Sequence, residues 1–288
     1  MNIKSPFSHK SQEPESGVLY IVGTPIGNLN DLSRRALNIL KNVSLIACED
    51  TRQTKKILSK YEFYNILISF NKHNYLDKTT RIINDLKSGK SVALVSDAGM
   101  PSICDPGEEL VKDVRLKGIS VICIPGPCAA ITALVSSGMP SSRFIFEGFL
   151  PKKKSERNKI LSEISKNDKT TILFESPHRL KKLLSELEEY IGREREIQVS
   201  RELTKRFEQT IGNNINEVID YFKDKDVLGE ITVVIKGEIK AKKNLGYDEF
   251  ELKKELNDLI NAGLSLSQAS KYLAKKNNVS KGVIYSMY

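Results

Sequence analysis

Three clusters of ionisable residues follow directly on apolar runs. Glu49-Asp50-Thr51-Arg52 comes after Val43–Ala47, Glu175 after Thr170–Phe174, and Arg201-Glu202-Leu203-Thr204-Lys205 after Ile197–Ser200. Carboxylates accept protons or face a cation, and guanidinium and ammonium groups hold anions. Helix capping by Asp50 or Thr51 accounts for part of the first cluster but leaves Glu49 unexplained. Charge clusters are usually a solvated face; direct attachment to apolar strands pulls Glu175, Arg201 and Glu202 toward a cleft instead. A fourth cluster, Lys152-Lys153-Lys154-Ser155-Glu156-Arg157, opens a helix, a poor place for positive charge. It is either an exposed lysine cluster or a run whose charge a nearby phosphate relieves.

The longest irregular polar stretch is Ser96 to Gly107, which leaves the apolar run Val92–Val95 and holds Asp97, Gly99, Pro101, Asp105 and Pro106. Such a Pro- and Gly-rich loop at a strand's carboxyl end reads as the floor of a small-molecule site. Asp105 is expected to cap the next helix, with Pro106 at its first position and the helix running over Glu108–Leu116. Gly23-Thr24-Pro25-Ile26-Gly27-Asn28 is equally a tight strand-to-helix turn or a binding loop. It is not the dinucleotide G-x-G-x-x-G pattern, and no P-loop motif occurs anywhere.

These loops recur at strand ends because the chain repeats strand, loop and helix. Strands are expected at Val18–Val22, Val43–Ala47, Ile66–Phe70, Val92–Val95 and Ile119–Ile124, each followed by a helix, the first capped by Asn30 or Asp31. Five such units imply an α/β fold with a mostly parallel sheet. After Gly138 the rhythm changes. Strands are expected at Phe144–Phe149, Thr170–Phe174, Ile197–Ser200, Glu208–Ile211 and Ile231–Lys236, with helices at 154–166, 177–191 and 215–222. The link from Ser200 to Glu208 is too short for a helical crossover, so this second sheet is expected to be mixed. The expected domains are a disordered tail (1–16), an N-terminal α/β domain (17–140), a C-terminal α/β domain (141–240) and a basic helical appendage (241–288). The appendage is read as two helices, 249–262 and 266–276, and a short piece from Ser280, an arrangement of helix-turn-helix type.

With 288 residues, 40% hydrophobic, the chain can bury a sizeable core. No apolar run approaches the length of a membrane span, and the polar N-terminus lacks a signal-peptide core, so a cytoplasmic location is expected. Cys48, Cys104, Cys123 and Cys128 form no C-x-x-C pair and only three histidines are present, so reduced thiols and no metal site are expected. The net charge of +9 favours a polyanionic partner, although general solubility produces similar numbers.

Taken together, these motifs resemble the ribosomal RNA small subunit methyltransferase I group of the tetrapyrrole methylase superfamily. The resemblance rests on Leu-Tyr-Ile-Val-Gly-Thr-Pro-Ile-Gly-Asn-Leu (19–29), Ala-Cys-Glu-Asp-Thr-Arg (47–52), Ala-Leu-Val-Ser-Asp-Ala-Gly-Met-Pro (93–101), Pro-Gly-Pro-Cys-Ala-Ala-Ile-Thr-Ala-Leu (125–134), Glu-Gly-Phe-Leu-Pro (147–151) and Arg-Glu-Leu-Thr-Lys (201–205). Gly23 and Met100 depart from it, standing where the family pattern more often has Ala and Thr. The resemblance implies S-adenosylmethionine-dependent 2′-O-methylation of a cytidine ribose in the decoding region of small-subunit ribosomal RNA. It also implies a homodimer of chains with two α/β domains of the tetrapyrrole methylase type and the cofactor in the interdomain cleft. By position, cofactor contacts fall on Ser96, Asp97, Ala98, Gly99, Ser102 and Ile103, on Pro125, Gly126, Pro127, Cys128, Ala129 and Ala130, and on Leu203, Glu230, Ile231 and Thr232.

Methyl transfer needs the ribose oxygen in line with the sulfonium methyl, so positioning lowers much of the barrier. A base within hydrogen-bond reach helps the hydroxyl proton depart; the candidates are Glu49, Asp50, Glu175 and Glu202, with Arg201 and Lys205 holding phosphate or the reacting oxygen. Asp97 is expected to face the sulfonium and orient the cofactor. Lys152, Lys153, Lys154 and Arg157 are expected to bind RNA. A methylase of the same superfamily acting on a tetrapyrrole or other small molecule, and a non-enzymatic RNA-binding protein, are the alternatives.

Overall fold

Apolar runs too short for helices, each followed by an amphipathic helix, bury both faces of a sheet. The computed structural model describes residues 13–238, 249–277 and 279–288. In chain order the first half holds β1 (Leu19–Val22), α1 (Arg34–Asn42), β2 (Leu45–Cys48), α2 (Thr51–Lys60) and β3 (Leu67–Ser69). It continues with α3 (Tyr75–Lys87), β4 (Val92–Val95), α4 (Glu108–Leu116), β5 (Val121–Ile124) and α5 (Ala129–Ser137). The sheet order is β3-β2-β4-β1-β5 and its pairings are parallel. Alternation along β1 divides the core: Leu19 and Ile21 pack with Ile82, Leu86, Leu110 and Val114 of α3 and α4. Tyr20 and Val22 pack with Ile39, Leu40, Ile57 and Leu58 of α1 and α2. From the adjacent strands β1 and β4 the chain leaves in opposite directions, toward β2 and toward β5, which opens a crevice at their carboxyl ends.

The second sheet comprises β6 (Phe144–Phe149), β7 (Thr170–Glu175), β8 (Glu196–Arg201), β9 (Gln209–Asn214) and β10 (Ile231–Ile235), with α6 (Lys154–Lys166), α7 (Pro177–Ile191) and α8 (Ile215–Phe222). Its order is β6-β7-β10-β8-β9. Only β6 and β7 pair in parallel, so the sheet is mixed as expected, and residues 202–208 form the β8–β9 hairpin loop. One cluster joins the two halves: Ala130, Ala133 and Leu134 of α5 pack with Ile172 and Val234 of this sheet and with Ile26 and Leu203.

The chain divides into two compact units, Met1–Gly237 and Glu238–Tyr288, both α/β sheets lying in the first. The second unit holds α9 (Glu249–Asn261), α10 (Leu266–Lys276) and α11 (Lys281–Tyr285) around Leu252, Leu256, Ala269, Leu273 and Ile284. A Ser265–Gln268 capping box starts α10. Residues 1–12 of the expected tail and 241–248 of the expected appendage lie outside the described residues.

Several expected boundaries move, each for a hydrogen-bond reason. β2 begins at Leu45 because the Val43 N–H closes α1 on the Ile39 carbonyl, and β5 begins at Val121 because the Ile119 N–H closes α4 on Val114. β9 runs on through the polar Asn213 and Asn214 because it pairs with β8 along its whole length. Neither Asn30 nor Asp31 caps α1: Asn28 caps a 3-10 turn over Leu29–Asp31, and Ser33 accepts the Ala36 N–H to start the helix. Nor does Asp105 cap α4. Gly107 occupies that position at φ 148, and a Cβ there would stand 2.4 Å from Ser102 Oγ.

Candidate active site

The loops after β1, β4 and β5 meet over the crevice. Thr24 N–H donates to the Gly99 carbonyl at 2.9 Å and Gly99 N–H donates back at 3.1 Å. The Ser96 hydroxyl donates to the Ala98 and Gly99 carbonyls, both at 3.3 Å, so it braces the loop from beneath. Gly126 lies against Gly23, where a Cβ on Gly126 would be 2.7 Å from Gly23 Cα. A Cβ on Gly23 would be 2.6 Å from Met100 Sδ. The two departures from the family pattern are therefore neighbours, the thioether of Met100 filling space that an alanine at 23 would need.

The β8–β9 loop reaches across to the β1 loop. Asn28 N–H donates to Thr204 Oγ1 at 3.0 Å, and a Cβ on Gly27 would be 2.4 Å from Lys205 Cγ. Glu202 (φ 54) and Thr204 (φ 67) hold left-handed backbone, which is unfavourable for residues with a Cβ and needs support around it. That support is polar. Glu202 Oε1 accepts from Lys205 Nζ at 2.8 Å and from Glu230 N–H at 3.0 Å, and Glu208 accepts from Thr204 N–H at 2.8 Å.

Between these loops lies a cleft of about 480 Å³, within the range of small-molecule sites. Ile26, Met100, Ile103, Phe149, Phe174 and Leu203 supply apolar walls. Five carboxylates line it, Glu49, Asp97, Asp105, Glu175 and Glu230, and among the described lining residues there is no lysine or arginine. Such a cleft suits a ligand with a flat apolar body and a positive charge. Glu175 is buried behind the wall, where Arg179 Nε donates to its Oε1 at 2.6 Å and the Arg157 guanidinium stands 3.6 Å from its Oε2, so its charge is already balanced.

The expected site residues divide accordingly. Asp97, Ala98, Gly99, Ile103, Cys128, Ala129, Leu203, Glu230, Ile231 and Thr232 line the cleft, as do Glu49 and Glu175. Ser96, Ser102, Pro125, Gly126, Pro127 and Ala130 are not among its lining residues; they shape or brace the loops that are. Asp50 caps α2 and pairs with Arg52 at 2.6 Å, so capping accounts for it. Arg201 donates to the Leu228 carbonyl, and Glu202 and Lys205 bind each other and Glu230. Arg157 corrects an expectation: it is 5% exposed, paired with Glu186 at 2.6 Å and 3.6 Å from Glu175, so the basic run offers RNA only Lys152, Lys153 and Lys154. Asp105, Met100, Phe149 and Phe174 line the cleft without having been singled out from sequence. For Asp105 the capping reading hid the signal.

Burial sets the proton affinities in the cleft. Desolvation raises the carboxyl of Glu49 above its ordinary range, and neighbouring Asp105 and Asp97 push the same way. Desolvation likewise raises Asp97, against the Asp50 N–H that donates to it, and Asp105, against the Ser96 hydroxyl. Asp50 goes the other way, to about 2, because the Arg52 side chain holds its charged form. For Glu202 burial acts upward, but the Lys205 ammonium and the Glu230 N–H outweigh it and hold the carboxyl below its usual range. Glu49 thus lines the cleft and has a raised proton affinity. Among the described residues no cluster of three or more His, Cys, Asp or Glu is arranged to hold a metal.

Residues 18–219 match the family model described as Tetrapyrrole (Corrin/Porphyrin) Methylases. A Bacillus subtilis (strain 168) protein named ribosomal RNA small subunit methyltransferase I is 43% identical over 277 residues, 95% of this chain and 94% of that protein. A Thermotoga maritima protein of the same name is 47% identical over 221 residues, 77% of this chain and 99% of that protein. Among solved structures, cobalt precorrin-4 methyltransferase, a cobalamin biosynthetic enzyme, aligns with TM-score 0.59 at 16% identity over 76% of this chain and 95% of that one. Uroporphyrin-III C-methyl transferase from Thermus thermophilus, complexed with S-adenyl homocysteine, aligns with TM-score 0.52 at 16% identity over 75% and 96%. At these identities the structural likenesses carry the fold alone.

Proposed function

Because the chain belongs to the ribosomal RNA small subunit methyltransferase I family, within the tetrapyrrole methylases, we propose that it methylates small-subunit ribosomal RNA with S-adenosylmethionine. The finer reading is 2′-O-methylation of a cytidine ribose in the decoding region, by a cytoplasmic homodimer. The observation that carries the cofactor reading is the cleft itself, apolar in its walls and lined by five carboxylates. Bound there, S-adenosylmethionine supplies an electrophilic methyl group on a sulfonium cation.

The chain's own part is positioning and proton handling. Ala98 and Gly99, held by the Thr24 bridge, and Cys128 and Ala129 at the start of α5 form one side of the clamp; Leu203, Ile231 and Thr232 form the other. Asp97 is fixed by the Asp50 N–H at 3.0 Å and would face the cationic centre of a bound cofactor. Glu49 takes the hydroxyl proton of the ribose. Its raised proton affinity suits it better than Asp50, whose carboxyl at about 2 is too weak a base. Support for the homodimer comes from α5, a mostly apolar helix that leaves Ile131 44% and Val135 72% exposed.

Single-turnover methylation of assembled small subunits with labelled cofactor, followed by mapping of the label, tests this reading. Label on one cytidine ribose is expected, with Glu49→Gln slowing transfer by about 10²-fold or more. Label on a base, or on a tetrapyrrole precursor in place of RNA, would sink the ribose reading, and an unimpaired Glu49→Gln would remove Glu49 as the base.

A further inference from the structure

We propose that a second, open groove behind the cofactor cleft holds the phosphodiester backbone of the RNA substrate, with Lys60 and Arg206 as its free cations. The inference rests on the RNA methyltransferase reading and begins from charge. Of the carboxylates that line the cleft, Glu49, Asp97 and Asp105 have no ion pair among the described residues, so phosphates are disfavoured there: a ribose can enter, while its phosphates are better held elsewhere. The neighbouring groove, about 580 Å³, has the opposite character. Asn28, Asn30, Lys60, Thr204, Lys205 and Arg206 line it, and among its described lining residues there is no carboxylate.

The two cavities are separated by one pair of loops. Ile26 and Leu203 line the cleft, while Gly27 and Thr204, the next residues in each loop, line the groove. The Asn28–Thr204 hydrogen bond ties the loops together at this wall. A strand of RNA lying in the groove is thus separated from the cleft by this one wall. Lys205 is bound to Glu202 and Glu230 and fixes the wall. Lys60, exposed in the last turn of α2, and Arg206, exposed in the hairpin loop, have no ion pair recorded among the described residues. Arg206 stands 5.5 Å from the centre of the Phe207 ring, itself 65% exposed. An exposed aromatic face beside phosphate-binding cations is what unpaired nucleotides stack on.

The test uses the full-length protein, wild type and Lys60→Gln/Arg206→Gln, with single-stranded RNA of the methylated region and assembled subunits. RNA affinity is measured across a salt series, together with methylation kinetics and S-adenosylmethionine binding. We expect the slope of log affinity against log salt to become shallower by about 0.7 per cation removed. The KM for RNA should rise about tenfold or more, with kcat and cofactor affinity unchanged; that cofactor affinity also reports that the variant is folded. Phe207→Ala should weaken RNA binding without altering the slope. An unchanged KM and slope in the double variant would overturn the groove while leaving the RNA reading intact. A wild-type protein that binds the cofactor but transfers no methyl to RNA would overturn both.

Discussion

At the scale of single residues, the cleft is a set of carboxylates kept in partial desolvation. Asp97, Asp105 and Glu49 have folded-state affinities for protons above those of free carboxyls, about 3.9–4.3. The sign follows from linkage: these groups favour the folded protein below that range and lose the contribution as pH rises through their raised values, where the charged cleft becomes a cost that a bound cation offsets. S-adenosylmethionine should therefore be preferred over the neutral S-adenosylhomocysteine most strongly near neutral pH. Calorimetry over a falling pH series should show that preference shrinking as the carboxyls protonate above the free-carboxyl range; a constant ratio of affinities would mean that they do not face the sulfonium. Arg157 makes the opposite point, a cation with a structural task. Buried between Glu175 and Glu186, it should cost about 3 kcal/mol of stability when changed to Met. Chemical denaturation measures that loss, and the salt dependence of RNA binding should stay as in wild type; a shallower slope would return Arg157 to the RNA surface.

At the scale of elements, the site depends on how closely the strand-end loops approach one another. The β1 and β5 loops touch backbone to backbone at Gly23 and Gly126, and Met100 of the β4 loop fills the remaining space beside Gly23. Gly23→Ala alone should force the thioether aside, lowering both stability and cofactor affinity. Met100→Thr in the same chain should restore only the part of the loss due to the thioether, because the new methyl would still stand 2.7 Å from Gly126 Cα. A double-mutant cycle of unfolding free energies is expected to give a coupling of about 1–3 kcal/mol; strictly additive effects would show that the two positions do not compensate. The same reasoning explains the strained hairpin loop. Glu202 and Thr204 hold left-handed backbone only because Lys205, Glu208 and the Glu230 N–H satisfy the loop from three sides.

At the scale of the molecule, α5 exposes apolar side chains that no other described residue of its own chain covers. If two copies meet there, Ile131→Glu/Val135→Glu should convert a dimer to a monomer in sedimentation velocity, with the fold retained because neither side chain is buried; a wild-type chain that sediments as a monomer would refute the pairing. The architecture itself was legible in the sequence. Short apolar runs alternating with amphipathic helices leave few arrangements other than a parallel sheet, and a seven-residue link between β8 and β9 excludes a crossover, so both sheets could be read from local pattern. The loops that build the cleft were legible as well, because Gly, Pro and paired charges at strand ends have few structural uses. Individual roles within them were not. Asp105 read as a helix cap and Arg157 as a surface cation because one-dimensional context records only neighbours in the chain, whereas burial, partner and facing cavity come from segments far away. Glu175 and Arg157 owe their roles to contacts with residues of other helices, and the separation of an acidic cleft from a basic groove exists only once the β1 and β8–β9 loops, 176 residues apart, are tied together by Asn28 and Thr204. Sequence alone determined the sheets, the loops and the family, since these follow from local periodicity and motif. Tertiary structure decided which charges face a ligand, since that depends on the distance and desolvation that only packing sets.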